Sequence, residues 1–289
     1  MHEFSLKYIS CVNCKKKLEL EVLKEQNEIN EGFLYCKNCN LTFPIISSIP
    51  ILRNNFITYL SNRPKLGGKL FLQANNNAMK SFIKKSLSKI KKLDDKTAIE
   101  QRWTRIYQNS KKTKLYSVIR QKISKLPKSK LALEHGCSIG TMTMSMAQNS
   151  KIVFGIDNSF SSILVAKKDN KKNLDYFVAD SLEHPFENQK FDLVVALNLL
   201  ELIEPKSLIK IISKQIKKGF FVLSDPYDYD RGKFSVKSPI TAQVLRKELR
   251  KHDFKIFSNT RKPSFIPWSL NLNQRTRLNY RVDLVMCKK

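Results

Sequence analysis

Four of the six cysteines stand in two pairs, Cys11-Val-Asn-Cys14 and Cys36-Lys-Asn-Cys39, with 21 residues between the pairs. Four thiolates so spaced can close a tetrahedron around zinc with no position left for water, so the expected role is structural. A redox role would need only one pair. A second stretch, "LALEHGCSIGTM" (131–142), reads as a buried strand entering a turn with glycines at 136 and 140 and then a helix. Such turns cradle nucleotides, yet Ser138 stands where a pyrophosphate needs bare backbone, which argues against NAD or FAD. S-adenosylmethionine carries no phosphate. It needs a tight turn under its sugar and an acid for its ribose hydroxyls, and Asp157, about 20 residues beyond the first glycine, suits the second need. A third stretch, "LSDPYDYDRG" (223–232), gathers Asp225, Tyr227, Asp228, Tyr229 and Asp230 after an apolar run. An Asp-Pro-Tyr turn there can orient a nitrogen by hydrogen bonds; a turn with solvated acids is the competing reading.

The elements that position these residues follow from periodicity. From Leu131 onward, strand-like runs ("LALEHG", "KIVFGIDNS", "LDYFVADS", "FDLVVALN", "GFFVLSDP") alternate with helical patterns. That order predicts an α/β fold with a doubly wound parallel sheet, whose ligands sit beyond the carboxyl ends of the strands. Between the cysteine pairs, "KLELEVL" and "EGFLYC" read as a hairpin, too small to fold without metal. Ser61 to Lys96 is basic; Phe82, Ile83, Leu87, Ile90 and Leu93 fall near helical spacing, while "NRPKLGG" and "QANNN" read as turns or joints. The next stretch, "RWTRIYQNSKKTKLYSVIRQKI", reads as one or two helices in which Trp103 and Tyr107 sit four apart, as core residues or as a cover over a ligand. The expected division is a zinc-ribbon module over 1–55, a basic helical connector over 56–98 and a catalytic domain over 99–289.

Two resemblances sharpen this. The cysteine pairs with "NLTFPIISSIPILR" resemble, over about the first 53 residues, the small zinc-ribbon proteins that activate partner methyltransferases. The string "ADSLEHPFENQKFDLVVALNLLELIEP" resembles class I S-adenosylmethionine-dependent methyltransferases of the small-molecule type. This second resemblance spans roughly 100–289 and implies a seven-stranded sheet ending in an antiparallel "YRVDLVMCKK". It assigns Glu134, Gly136, Cys137, Ser138 and Gly140 to the cofactor loop, with Cys137 contributing backbone. It further assigns Asp157 to the ribose, Asn158 to the cofactor, Asp180 and Ser181 to the adenine edge, and Asn198 to the cofactor lining. Pro185, Phe186, Phe191 and Asp192 match the family's Pro-Phe and Phe-Asp-hydrophobic positions. Leu202 departs from the histidine of many relatives, which removes a base from that place. His135 and His184 read as packing residues, and Cys287 as core. "NLLELIEP", "VLSDPYDYD" and "FIPWSLNLNQRTRLNYRVDLV" are also similar, in patches, to mercaptohistidine N-methyltransferase domains.

The formal net charge of +28 permits an RNA partner, but a Lys-, Asn- and Ile-rich, Gly-poor composition also follows from A+T-rich coding. No apolar run approaches the roughly 20 residues of a membrane span, and "MHEFSLKYISC" lacks a signal-peptide core; the expected location is the cytoplasm. The leading expectation is methylation of a small-molecule nitrogen, with Asp225 and Tyr227 as catalytic residues, S-adenosylmethionine as cofactor and zinc as a structural ion. RNA methylation is the alternative, and a non-catalytic relic of the fold is third, disfavoured by the acids at 157 and 180. Oligomeric state is not legible.

Overall fold

The computed structural model describes residues 1–91, 95–169, 171–187, 189–230, 232 and 235–289. In chain order its strands are β1 (Glu19–Glu25), β2 (Ile29–Cys36), β3 (Leu41–Ile46), β4 (Ile49–Leu52), β5 (Ser129–His135), β6 (Ser150–Asp157), β7 (Leu174–Ala179), β8 (Leu193–Leu197), β9 (Phe220–Asp225), β10 (Lys255–Ile256), β11 (Ile266–Asn271) and β12 (Arg277–Lys288). Its helices are α1 (Phe56–Ser61), α2 (Pro64–Gln73), α3 (Asn77–Leu87), α4 (Thr97–Asn109), α5 (Lys114–Ile123), α6 (Thr141–Met146), α7 (Phe160–Ala166), α8 (Pro205–Gln215) and α9 (Ala242–Lys251). The chain forms two compact units. One contains Met1–Arg105, Ser138–Gly140 and Ile156–Gln189; the other contains Ile106–Cys137, Thr141–Gly155 and Lys190–Lys289.

In the first unit the strand order is β1-β2-β3-β4-β7. The hairpin expected between the cysteine pairs is β1 against β2, and β3 joins β2 antiparallel. Ser47 and Ser48 both take left-handed φ values, 52° and 62°, as a two-residue hairpin turn requires, and this sets Ile46 opposite Ile49. The last pairing is parallel: Ile51 lies beside Val178 and Leu52 beside Ala179. The six residues of β7 are all buried, as expected for a strand covered on both faces. Asp175 within β7 stays charged because Lys167 Nζ lies 2.8 Å away and Ser5 Oγ donates at 2.8 Å; burial alone would raise this carboxyl, but Lys167 holds it below its ordinary value.

The connector differs from the sequence reading in two respects. "NRPKLGG" is not a joint: Pro64 occupies the first position of α2, where its missing N–H costs nothing. Gly67 lies within this helix because a Cβ there would come within 2.5 Å of Leu87 Cδ2, so the glycine permits close helix approach. The helix anticipated through Phe82, Ile83 and Leu87 is α3, which ends at Leu87, before Ile90; Leu93 lies outside the described residues.

In the second unit the order is β6-β5-β8-β9-β12-β10, with β11 also on β12. β5, β8 and β9 run parallel, and β12 is antiparallel to β9, as expected for "YRVDLVMCKK". Asp192 plays a structural part, since its Oδ2 accepts the N–H groups of Lys130 and Leu131 and so fixes the start of β5 against β8. Leu115, Ile119 and Ile123 form one buried face of α5, and Leu208, Ile209 and Ile212 that of α8. The observed fold is thus a mixed α/β sheet with an N-terminal ribbon. Its strand count differs slightly from the expected seven, since β10 and β11 both pair with β12. Among the described residues, no helix is long and apolar enough to cross a membrane.

Candidate functional site

The four ribbon cysteines converge. Cys11 Sγ lies 3.5 Å from Cys39 Sγ, and Cys36 Sγ lies 3.3 Å from both Cys14 and Cys39. All four sulfurs lie within 4.8 Å of one another. Zinc–sulfur bonds of about 2.3 Å place tetrahedral sulfurs about 3.8 Å apart, so this donor set fits a structural zinc ion. The backbone N–H of Lys16 draws the Cys14 thiol down to about 6, toward the thiolate a metal requires. The knuckle is anchored within its unit by Ser10, whose N–H and hydroxyl both donate to Pro185 O, at 2.8 and 3.0 Å.

Of the expected cofactor residues, Ser138, Gly140, Asp157, Asn158, Asp180 and Ser181 belong to the first unit, and Glu134, Gly136, Cys137 and Asn198 to the second. Gly136, Ser138 and Gly140 all adopt left-handed φ values of 66°, 49° and 74°. A glycine is the natural choice at each of these positions; Ser138 accepts the conformation at a cost of about 1–2 kcal/mol. Its N–H donates to Asp157 Oδ2 at 2.9 Å, and Ser159 N–H donates to Asp157 Oδ1 at 2.8 Å. A carboxylate has about four acceptor positions, so Asp157 keeps capacity for a diol. Burial pushes the Asp157 carboxyl up to about 6, against the pull of those two N–H groups. Gly140 is packed so closely that a Cβ would come within 2.3 Å of Tyr176 Oη. Asn158 is exposed, and its carbonyl accepts from Tyr59 Oη at 3.1 Å. Asp180 is half-buried: Oδ1 accepts Leu182 N–H at 2.9 Å and Oδ2 lies 2.8 Å from Arg53 Nη1. Ser181 beside it is buried.

In the second unit, buried Glu134 accepts from Thr143 Oγ1, which ties the end of β5 to α6. Cys137 is buried, and a Cβ on Gly136 would press on Leu199 at 2.8 Å. Asn198, at φ 52°, leaves β8 with its Oδ1 accepting from Ser224 Oγ at 3.0 Å. His135 Nε2 pairs with Gln215 Oε1 at 2.9 Å, and His184 Nδ1 accepts Phe186 N–H at 3.1 Å. Both histidines therefore have the packing roles expected of them.

The acidic turn after β9 forms a network. Asp225 is fully buried; Oδ2 accepts Leu200 N–H at 2.9 Å and Oδ1 accepts Tyr227 N–H at 2.8 Å. Tyr227 takes φ 57° and donates its hydroxyl to Asp283 Oδ2 at 2.8 Å. Burial raises the Tyr227 phenol, and Asp283 raises it further. Asp283 also receives Arg246 in a two-pronged pair, at 2.6 and 3.0 Å. Sequence reasoning missed Asp283 and Arg246, since nothing local marks an acid in β12 as the partner of an arginine in α9. Asp228 accepts from Tyr280 Oη at 2.9 Å, and Tyr280 stacks on Trp268, which also faces Tyr107. Tyr107 thus packs rather than stands open. Asp230 is exposed.

Comparison with known proteins bears on two segments of the chain. A family model described as "Methyltransferase domain" matches residues 133–223, and one described as "Trm112p-like protein" matches residues 5–47. Ubiquinone biosynthesis O-methyltransferase of Coxiella burnetii is 33% identical over 96 residues, covering 32% of this chain and 41% of that protein. The protein of the same name from Vibrio atlanticus is 32% identical over 95 residues, covering 31% and 40%. The chain thus spans about two fifths of the length of the curated relatives it matches. Among solved structures, a chain of the complex between the Haloferax volcanii Trm112 methyltransferase activator and the putative methyltransferase superimposes with a TM-score of 0.53. It is 12% identical and covers 67% of this chain and 95% of that one. Magnesium protoporphyrin IX methyltransferase from Synechocystis, with bound SAH, gives a TM-score of 0.49 at 16% identity, covering 67% and 94%.

Proposed function

From a chain that carries a methyltransferase domain of the S-adenosylmethionine-dependent fold and a Trm112p-like zinc ribbon, we propose that it methylates a small molecule, on nitrogen in the first instance. The observation that carries the cofactor reading is the Ser138–Asp157 contact: a left-handed loop residue gives its N–H to a half-buried acid that retains free acceptor positions. When bound, S-adenosylmethionine supplies an electrophilic methyl group on sulfur. Asp157 is assigned the ribose hydroxyls, with Asn158 beside it, and Asp180 and Ser181 the adenine edge. Glu134, Asn198 and the backbone of Gly136, Cys137, Ser138 and Gly140 are likewise assigned to the cofactor. Displacement at a sulfonium is in line, so the protein's contribution is to align the acceptor and exclude water.

Asp225 and Tyr227 are assigned the acceptor side. With both carboxylate oxygens and the phenol engaged, their work is to hold the turn in a fixed shape for an acceptor that arrives unprotonated, not to remove a proton. The names of the curated relatives favour oxygen as a second acceptor atom. The charge of +28, with Lys84, Lys85, Lys89 and Lys91 exposed on and beyond α3, favours RNA as a second acceptor class. The test is calorimetric titration with S-adenosylmethionine. Binding that weakens in Asp157→Ala by about 10- to 150-fold, the equivalent of about 1.5–3 kcal/mol, supports the reading; absence of binding, or tight binding of NAD, overturns it.

A further inference from the structure

The register of the β4–β7 pair delivers a cation to an acid. Ile51 lies beside Val178 and Leu52 beside Ala179, so the next step of the parallel ladder brings Arg53 beside Asp180. The side chains meet: Arg53 Nη1 is 2.8 Å from Asp180 Oδ2, with side-chain exposures of 19% and 27%. The other oxygen, Oδ1, is taken by Leu182 N–H. The contact at Oδ2 is an ion pair rather than an aligned hydrogen bond, so the carboxylate is anchored at Oδ1 by an N–H and biased at Oδ2 by charge, and each oxygen keeps a lone pair for one more donor. An exposed surface pair would contribute little, but here both partners are mostly withdrawn from water and directly follow paired strand ends. Just beyond Arg53, the same segment reaches a neighbouring loop: Tyr59, in α1, is buried and donates to Asn158 O. Tyr59 in turn lies under Arg63, whose guanidinium is 4.2 Å from the ring centre and is clamped by Glu100 Oε1 at 2.6 and 3.0 Å. The segment that leaves the ribbon is thus rigidly built onto two loops of its own unit that carry residues assigned to the adenosine.

We infer that Arg53 is a positioning residue for cofactor recognition: it biases the Asp180 carboxylate toward the orientation that accepts the exocyclic amino group of adenine. This rests on the S-adenosylmethionine reading above. The contact is made by Nη1 of a long, permanently charged side chain, and the shorter lysine places its charge less well, so lysine is a partial substitute. The consequence is that the ribbon segment contributes to base selectivity, although no ribbon residue needs to touch the methyl group.

The experiment compares S-adenosylhomocysteine with S-inosylhomocysteine, in which the amino group is replaced by a carbonyl oxygen. Both are titrated by calorimetry into the full chain as wild type, Arg53→Ala, Arg53→Lys and Asp180→Asn. Arg53→Ala is expected to lose about tenfold in affinity for the adenosine ligand, the equivalent of 1.4 kcal/mol. Little change is expected for the inosine ligand; Arg53→Lys should recover only part of the loss, and Arg53→Ala should add little on top of Asp180→Asn. Equal losses for both ligands, or no loss for either, overturn the inference while leaving the cofactor reading intact. A wild-type chain that binds neither ligand overturns the cofactor reading and this inference with it. Thermal unfolding of Arg53→Ala serves as a control, and a loss of selectivity with an unchanged Tm separates positioning from a fold defect.

Discussion

Ser138 and Gly140 sit two residues apart in left-handed backbone, and they answer to different constraints. At 138 the backbone constraint is conformational, so Ser138→Gly is expected to change stability by no more than about 1 kcal/mol, relief of backbone strain offsetting the added chain entropy. At 140 the constraint is also steric, because a Cβ would meet Tyr176 Oη at 2.3 Å. Gly140→Ala is expected to cost about 2 kcal/mol or more in urea unfolding, and equal stabilities for the two variants would contradict this account of the turn. Asp157 makes a pH prediction. Its carboxyl is raised by burial to about 6 from 3.8, so between those values the native chain holds a proton that the unfolded chain has lost. Its contribution to folding is therefore unfavourable at neutral pH and is relieved as pH falls through about 6. Ribose hydroxyls need the ionised form, so cofactor affinity should weaken as pH drops from about 7.5 to about 5.5, while Asp157→Asn should bind weakly with a flat profile over that range. A wild-type affinity independent of pH would show that this acid does not hold the ribose.

Between elements, long-range pairings decide what local pattern could not reveal. β9 and β12 place Asp225 opposite Asp283, two acids in facing positions. The two are held differently: Asp225 accepts the N–H groups of Leu200 and Tyr227, whereas Asp283 pairs with Arg246 from α9 and accepts from Tyr227 Oη. Arg246→Ala should strand the Asp283 charge and cost about 3–5 kcal/mol, whereas Tyr227→Phe removes one hydrogen bond and should cost about 1 kcal/mol. Denaturant curves with matching losses for the two variants would refute this ordering. The alternation of strands and helices after Leu131, the cysteine knuckles and the ribbon hairpin were all legible, because each is written in residues close in sequence. The parallel pairing of β4 with β7 was not, since no local signal marks Ile51 as a neighbour of Val178, and with it went the Arg53–Asp180 pair. "NRPKLGG" misled because glycine and proline usually punctuate helices; at Pro64 and Gly67 the first-turn position and a close helix contact reverse the usual meaning. The buried Asp175–Lys167 pair was equally hidden, an acid in an otherwise apolar strand whose partner comes from the end of a helix.

At the scale of the molecule, a four-cysteine ribbon and a methyltransferase-type fold share one chain. The four sulfurs within 4.8 Å predict one zinc per chain, lost in Cys36→Ser together with stability of the first unit. Because Arg53 follows β4 directly, zinc content and cofactor affinity should fall together in that variant, and retention of full affinity without zinc would uncouple them. The positive charge bears on the acceptor: an RNA substrate would make transfer collapse as salt rises, through counterion release, while a small acceptor would not. The most direct measurement is the transfer of labelled methyl from S-adenosylmethionine to a cell extract, with and without ribonuclease. Label is expected in the small-molecule fraction, surviving ribonuclease and lost with Asp157→Ala; label no higher than that of heat-inactivated protein, or label that migrates with RNA and vanishes on ribonuclease treatment, would contradict the proposed function.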